Sequence, residues 1–345
     1  MAKLFFLLSG EHKSLPVSEL EAILQAEGHK YSNLETLDQV IRLEANLACI
    51  DALKRRAAFT RFCGLELFNC KAEKRTILKT ADSVDLTNVL RENESFAVRV
   101  EHVKGHASSI NGMSLERTIG ELVASKAKKA KVNLENPDKT LKGFFTNGRF
   151  IFGAKLAEIP TKPFAERRPR KKPFFHPSAM QPKLARSMVN LVKPNVGDLV
   201  LDPFCGTGTT LIEASLIGCR VLGVDVQARM VKGASNNMLY FKVKSEGVVV
   251  ADAQRLPLNK VDCVVTDPPY GTCSTTLKRT TRQIVEEILL SVRGLLSKGR
   301  RVCIAAPRRL GVSVIGEKLD YRHLESHFVY VHRSLTREIT VFEKV

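Results

Sequence analysis

The chain has 345 residues, 44% of them hydrophobic, which is enough material for about two domains with sizeable cores. Its 54 Lys and Arg against 36 Asp and Glu give a formal charge of +18, which points to a polyanionic partner because clustered cations on phosphates release counterions. No apolar run is long enough to cross a bilayer, and the apolar opening at residues 4–8 is too short for a secretory leader, so no membrane association is expected. The eight cysteines have no Cys-x-x-Cys spacing and several sit inside apolar runs, so a reducing, cytoplasmic location is expected. His323, His327 and His332 lack acids or cysteines at ligand spacing, and no metal site is expected.

In chain order, residues 5–8 read as a strand and 17–26 as a helix, followed by strands at 40–43, 68–70, 96–103 and 150–156. Between the last two strands, residues 115–131 read as a helix with a basic end carrying Lys126, Lys128, Lys129 and Lys131. This half is α+β material without a catalytic constellation. Residues 162–173 hold six cations, one acid and three prolines, which predicts an extended basic linker. Beyond it, strands at 199–201, 221–224, 248–251, 261–266 and 302–305 alternate with helices at 209–216, 229–241 and 283–296. A hairpin closes the chain, with strands at 328–333 and 338–342 around Leu335-Thr336. Such alternation predicts an α/β fold with a parallel, doubly wound sheet.

Four successive strands of this half end in an acid: Asp202, Asp225, Asp252 and Asp267. In a parallel sheet those ends share one rim, where open α/β folds bind ligands. Asp202-Pro203-Phe204-Cys205-Gly206-Thr207-Gly208 joins a strand to a helix, and its glycines let a ligand approach the backbone. A dinucleotide fingerprint needs a small residue at position 211, where Leu211 stands. Asp202 would repel a pyrophosphate but can hold an ammonium, directly or through water. Asp225 can accept both hydroxyls of a ribose, and Asp252 can accept from an adenine amine. Asp267-Pro268-Pro269-Tyr270 must turn, since two prolines continue neither a ladder nor a helix. Its carboxylate and the Pro268 carbonyl can grip an exocyclic amine while Tyr270 stacks on the base.

On these motifs the C-terminal half resembles the class I S-adenosylmethionine-dependent methyltransferases that methylate amines. The resemblance implies a Rossmann-like, seven-stranded, mostly parallel sheet ending in a hairpin. It implies a cofactor site of His176, Asp202, Phe204, Cys205, Gly206, Thr207, Gly208, Asp225, Val226, Asp252 and Ala253, and a catalytic turn of Asp267, Pro268, Pro269 and Tyr270. The stretch from His176-Pro177 to Pro182-Lys183-Leu184-Ala185 resembles the motif that precedes this fold and helps enclose the methionine end. Glu94 to Val100, Leu115 to Gly120 and Val132 to Asp138 are similar to a THUMP domain, a module that binds tRNA.

The combination resembles the archaeal tRNA guanosine N2-methyltransferases acting at position 10, some of which work with a small zinc-containing activator protein. The domains implied are a ferredoxin-like module at 1–58, a THUMP domain at 59–160, the basic linker at 161–174 and the methyltransferase at 175–345. The RNA contacts expected are Arg99, Lys126, Lys128, Lys129, Arg167, Arg168, Arg170, Lys171 and Lys172. The tetrapeptide also occurs in adenine N6-methyltransferases of RNA or DNA, so by itself it leaves guanine and adenine open. A non-catalytic tRNA-binding protein is the alternative of another class.

Overall fold

The computed structural model describes residues 1–85, 89–127, 129–256, 258–270 and 279–345. Its contacts divide the chain into two units that do not follow sequence order. One comprises Met1–Gly10, His29–Lys54 and Thr60–Pro160; the other takes Glu11–Gly28 and Arg55–Phe59 together with Thr161–Val345.

The first unit is built on β1 (Ala2–Leu8), β2 (Tyr31–Thr36), β3 (Val40–Ala45), β4 (Thr60–Lys71), β5 (Ser95–His102), β6 (Lys131–Val132), β7 (Lys139–Thr146) and β8 (Arg149–Glu158). These form one sheet in the order β2-β3-β1-β4-β8-β7-β5-β6. The sheet is therefore continuous across position 58/59, because β4 pairs with β1 on one side and β8 on the other. Phe5, Phe62 and Phe144 pack tilted or edge-on across it, with ring centroids 5.3 to 5.9 Å apart. Gly64 makes room for them, since a Cβ there would lie 2.4 Å from the Phe5 ring. In chain order α1 (Leu15–Ala26) and α2 (Cys49–Arg56) interrupt the strands, followed by α3 (Lys74–Ser83) and α4 (Gly112–Lys126). Ile77 and Ala81 of α3 and Leu115, Ile119 and Val123 of α4 pack on Phe68, Phe96, Phe150 and Phe152.

In the second unit β9 (Leu199–Asp202), β10 (Arg220–Asp225), β11 (Gly247–Val250), β12 (Cys263–Thr266), β13 (Arg301–Pro307), β14 (Tyr321–His332) and β15 (Leu335–Lys344) form a sheet in the order β11-β10-β9-β12-β13-β15-β14. The five strands from β11 to β13 run parallel, and β15 is antiparallel to both its neighbours. The expected seven-stranded sheet with a terminal hairpin is thus observed. Its helices are α5 (Lys162–Glu166), α6 (Pro182–Leu191), α7 (Thr209–Ser215), α8 (Ala228–Tyr240), α9 (Thr281–Arg293) and α10 (Val312–Lys318). Adjacent residues of β9 enter opposite cores, Val200 with α6, α7 and α8 and Leu201 with α9 and α10. Burial on both faces is why these strands read as continuous apolar runs. The strand order reverses between β9 and β12, so the ligand crevice opens at the carboxyl ends of these strands.

Helix α1 belongs to this unit through a buried carboxylate. Glu19 is 0% exposed and accepts from the Ala58 and Phe59 N–H groups and from Asn190 Nδ2 on α6, at 2.8 to 3.1 Å. Burial pushes its carboxyl up to about 7.

The basic segment corrects one expectation. Residues 162–173 are not an extended linker but fold as α5 and a 3-10 turn over Pro169–Lys171. Phe164 is buried, and Phe174 packs so closely on Gly233 that a Cβ there would lie 2.0 Å from its ring. Asn237 fastens the Phe174 backbone with two hydrogen bonds of 2.9 Å. Two aromatic anchors and a buried acid outweigh the charge repulsion and the prolines. Among the described residues no helix is long and apolar enough to cross a membrane.

Candidate active site

A cavity of about 750 Å³ opens at the rim of the seven-stranded sheet. His176, Phe204, Gly206, Asp225, Val226, Asp252, Ala253, Asp267, Pro268, Pro269 and Tyr270, all singled out from the sequence, line it. Cys205, Thr207 and Gly208 are not among the lining residues; they build the turn beneath it. The Gly208 N–H donates to the Cys205 carbonyl at 2.7 Å, and both glycines adopt left-handed backbone, with φ of 50° at Gly206 and 77° at Gly208. Leu211, the residue that argued against a dinucleotide, fills the space over Gly223, where a Cβ would meet its Cδ1 at 2.5 Å.

The four strand-end acids have different surroundings. Asp202 lies beneath the cavity and is not among its lining residues. It is 3% exposed, and its Oδ1 accepts from the Phe204 N–H at 3.1 Å and from Thr266 Oγ1 at 2.8 Å. Burial pushes its carboxyl up to about 7. Its visible role is to tie the glycine turn to β12. Asp225 faces the cavity, with Oδ2 accepting from the Gly206 N–H at 3.0 Å and Oδ1 from the Gln227 N–H at 2.9 Å. One bond per oxygen leaves lone pairs for a ligand hydroxyl. Asp252 accepts from the Gln254 N–H and pairs with Arg279 at 2.9 Å, which also holds Glu287 at 2.9 Å.

Asp267 is paired with Arg337, whose Nη2 lies 3.0 Å from Oδ2. Arg337 Nε also donates to the Tyr270 hydroxyl, and its guanidinium lies 5.6 Å from that ring's centroid. Asp267 Oδ1 is buried and finds no hydrogen-bond partner among the described residues. Burial holds this carboxyl above the usual range, opposed by the Arg337 charge and by Tyr270.

Residues 169–338 match the methyltransferase-domain family described as RMKL-like. A DNA methylase family matches residues 77–236, a stretch that ends before Asp267. The tRNA (guanine(10)-N2)-dimethyltransferase of Methanothermobacter thermautotrophicus is 38% identical over 345 residues, covering 99% of this chain and 100% of that protein. The protein of that name from Methanocaldococcus jannaschii is 32% identical, covering 99% of both chains. The chain belongs to the tRNA (guanine(10)-N2)-dimethyltransferase family. The crystal structure of TrmN from Thermus thermophilus shares the fold, with a TM-score of 0.58 at 19% identity over 99% of this chain and 100% of that one.

Several cations expected to meet RNA in this methyltransferase have other partners. In the first unit Arg99 donates to the Val98 and Leu134 carbonyls, and Lys126 to the carbonyls of Ala81, Asp82 and Val84. Lys129 pairs with Glu92 at 2.8 Å, while Lys128 lies outside the described residues. In the second unit Arg167 forks onto buried Glu213 at 2.6 and 3.1 Å, and Lys172 is buried against Thr209 Oγ1 at 2.5 Å. These two are structural anchors, which corrects their placing on an RNA surface. Arg168, Arg170 and Lys171 are exposed. The three histidines have local partners: His323 meets Ser326, His327 sits between Ser14 and Glu325, and His332 meets Ser334.

Arg279 and Arg337 were not singled out from the sequence. The first had a usable signal, since Thr280-x-x-Gln283 forms a capping box that starts α9 directly after Arg279. The second had none beyond a charge in a strand. It reaches the rim because β15 runs antiparallel, which sets Arg337 opposite Pro307 at the carboxyl end of β13.

Proposed function

We propose that this chain uses S-adenosylmethionine to methylate the exocyclic N2 amine of guanosine 10 in tRNA. The observation that carries the reading is Asp267, which lines the rim cavity with an Oδ1 that is buried and has no hydrogen-bond partner among the described residues, on a turn whose prolines offer carbonyls and no N–H. An acceptor in that setting suits an N–H donor such as the exocyclic amine of a base, whose lone pair is delocalised into the ring.

The donor set also fits the cofactor. Asp225 would take the ribose hydroxyls, Asp252 and Ala253 would border the adenine, and the Gly206 turn would pass close beside the ligand, all three elements lining one cavity. S-adenosylmethionine supplies an electrophilic methyl on a sulfonium. The chain's own work is positional. Asp267 Oδ1 and the Pro268 carbonyl accept from the amine, turn its lone pair out of conjugation and hold it in line, and Tyr270 replaces the stacking lost by a flipped base. As the nitrogen gains positive charge, Asp267 stabilises it and is placed to receive its proton.

For the substrate, we assign tRNA contacts to the exposed Arg168, Arg170 and Lys171, and RNA recognition to a THUMP domain at 59–160 preceded by a ferredoxin-like module at 1–58. A tRNA substrate fits a cytoplasmic location. The zinc-containing activator implied by the resemblance has no support in the relatives, so the test uses the chain alone. Unmodified tRNA incubated with the protein and S-adenosylmethionine is digested to nucleosides for mass spectrometry. N2-methylguanosine and its dimethyl form are expected, mapping to position 10. N6-methyladenosine, or no methylated nucleoside, would overturn the reading.

A further inference from the structure

Arg337 spends its guanidinium on two residues of one tetrapeptide, and it comes from a strand that the motif does not include. It is 13% exposed, lines the cavity, pairs with Asp267 Oδ2 at 3.0 Å and donates to the Tyr270 hydroxyl. The sheet register explains the reach. Thr266 lies opposite Ile304 of β13, which lies opposite Thr340 of β15. Arg337 stands three residues nearer the rim than Thr340, so its side chain meets the turn that follows Thr266. A simple bridge fastening the hairpin would need no second bond to Tyr270 and would not have to lie in the cavity wall.

We infer that Arg337 is the positioning residue of the amine-binding carboxylate: by occupying Asp267 Oδ2 and fixing Tyr270 in the same fork, it leaves Oδ1 as the one open acceptor, aimed at the substrate amine. The inference rests on the methyltransferase reading above. Two consequences follow from the chemistry. A carboxylate taken out of water tends to become neutral, and a neutral acid with a rotating O–H no longer accepts an amine hydrogen in a defined direction. The guanidinium opposes that tendency and favours the ionised form. Its planar fork also sets the carboxylate plane, which a lysine's single ammonium cannot do. Among the described residues, the other groups acting on Asp267 are Tyr270, in its own turn, and Asp202 at the end of β9. Neither supplies a positive charge.

The test measures kcat and the KM for tRNA of the full chain and of Arg337→Gln and Arg337→Lys, across roughly pH 5 to 9, with nucleoside mass spectrometry as readout. Melting temperature and S-adenosylmethionine binding serve as controls. For Arg337→Gln we expect kcat at neutral pH to fall about 10²-fold or more, with KM for tRNA little changed. Its acid limb should move up by about 1–3 pH units, because the cation that favoured the carboxylate is gone. Arg337→Lys should return the limb toward its original position while recovering only part of kcat. A limb that stays put in Arg337→Gln overturns the inference, as does a loss explained wholly by weaker cofactor binding. Should Arg337→Gln fail to fold, Arg337→Lys decides the matter: wild-type kcat and pH profile would make the fork irrelevant. Absence of methylguanosine with the unaltered chain would instead overturn the reading beneath.

Discussion

The two halves of the rim hold their acids by different means. Asp202 accepts from the Phe204 N–H of its own turn and from Thr266 of β12, and Asp225 from the Gln227 N–H of its own turn and the Gly206 N–H of the glycine turn after β9. Asp252 accepts from the Gln254 N–H, and both it and Asp267 pair with arginines from later elements, Arg279 before α9 and Arg337 on β15. The first half is held by uncharged donors, the second by guanidinium groups. The difference matches the roles proposed for each half: a cofactor site would need a constant cradle, whereas an amine-binding carboxylate would need its charge state and plane controlled from outside.

The sharpest way to break this contrast is Asp267→Ala. We expect it to lower methyl transfer about 10²–10³-fold while S-adenosylmethionine binding survives, measured by calorimetry beside the rate assay. Parallel loss of both would erase the division between the halves. Asp225→Ala should do the reverse, weakening cofactor binding about 10–100-fold, as expected for lost charge-assisted hydrogen bonds, with a smaller effect on kcat at saturating cofactor. An unchanged dissociation constant would remove Asp225 from the cradle.

The basic segment offers a third comparison within a few residues. Reversing the charges of Arg168, Arg170 and Lys171 should weaken tRNA binding and make its log–log salt slope shallower by about 2–3. Arg167→Glu should leave the slope alone and lower the melting temperature, since that side chain answers buried Glu213. Equal slopes in the two variants would return the segment to a plain surface.

The smallest effect concerns Glu19, a carboxylate held by backbone N–H groups that are distant in sequence. Its carboxyl, ordinarily near 4.5, is raised to about 7 in the folded chain. Its contribution to stability is therefore fully present below about 4.5 and lost as pH rises through about 7. Glu19→Gln should flatten the stability-versus-pH curve over that window relative to the parent. Matching slopes would mean that Glu19 does not titrate there.

Legibility followed the range of the interactions. The parallel strands and the acids at their ends were readable because strand runs and strand-to-helix turns are local patterns in the chain. The α3 and β7 elements went unread, since Lys74–Ser83 and Lys139–Thr146 carry many polar residues that blur their apolar period. The basic segment was misread because composition weighed its charges and prolines, while Phe164, Phe174 and Glu213 decided its conformation by burial.

By itself, then, the sequence determined a doubly wound sheet, the four acids on its rim and the turn at Asp267–Tyr270, because each depends on residues a few positions apart. Only the tertiary structure decided that Asp202 ties its turn to β12, that Glu11–Gly28 belongs with the C-terminal unit, and that Arg337 pairs with Asp267. The physical reason is the same in each case. A buried charge must find its partner wherever the fold brings one within about 3 Å, and that proximity is a property of strand order and direction, not of spacing along the chain.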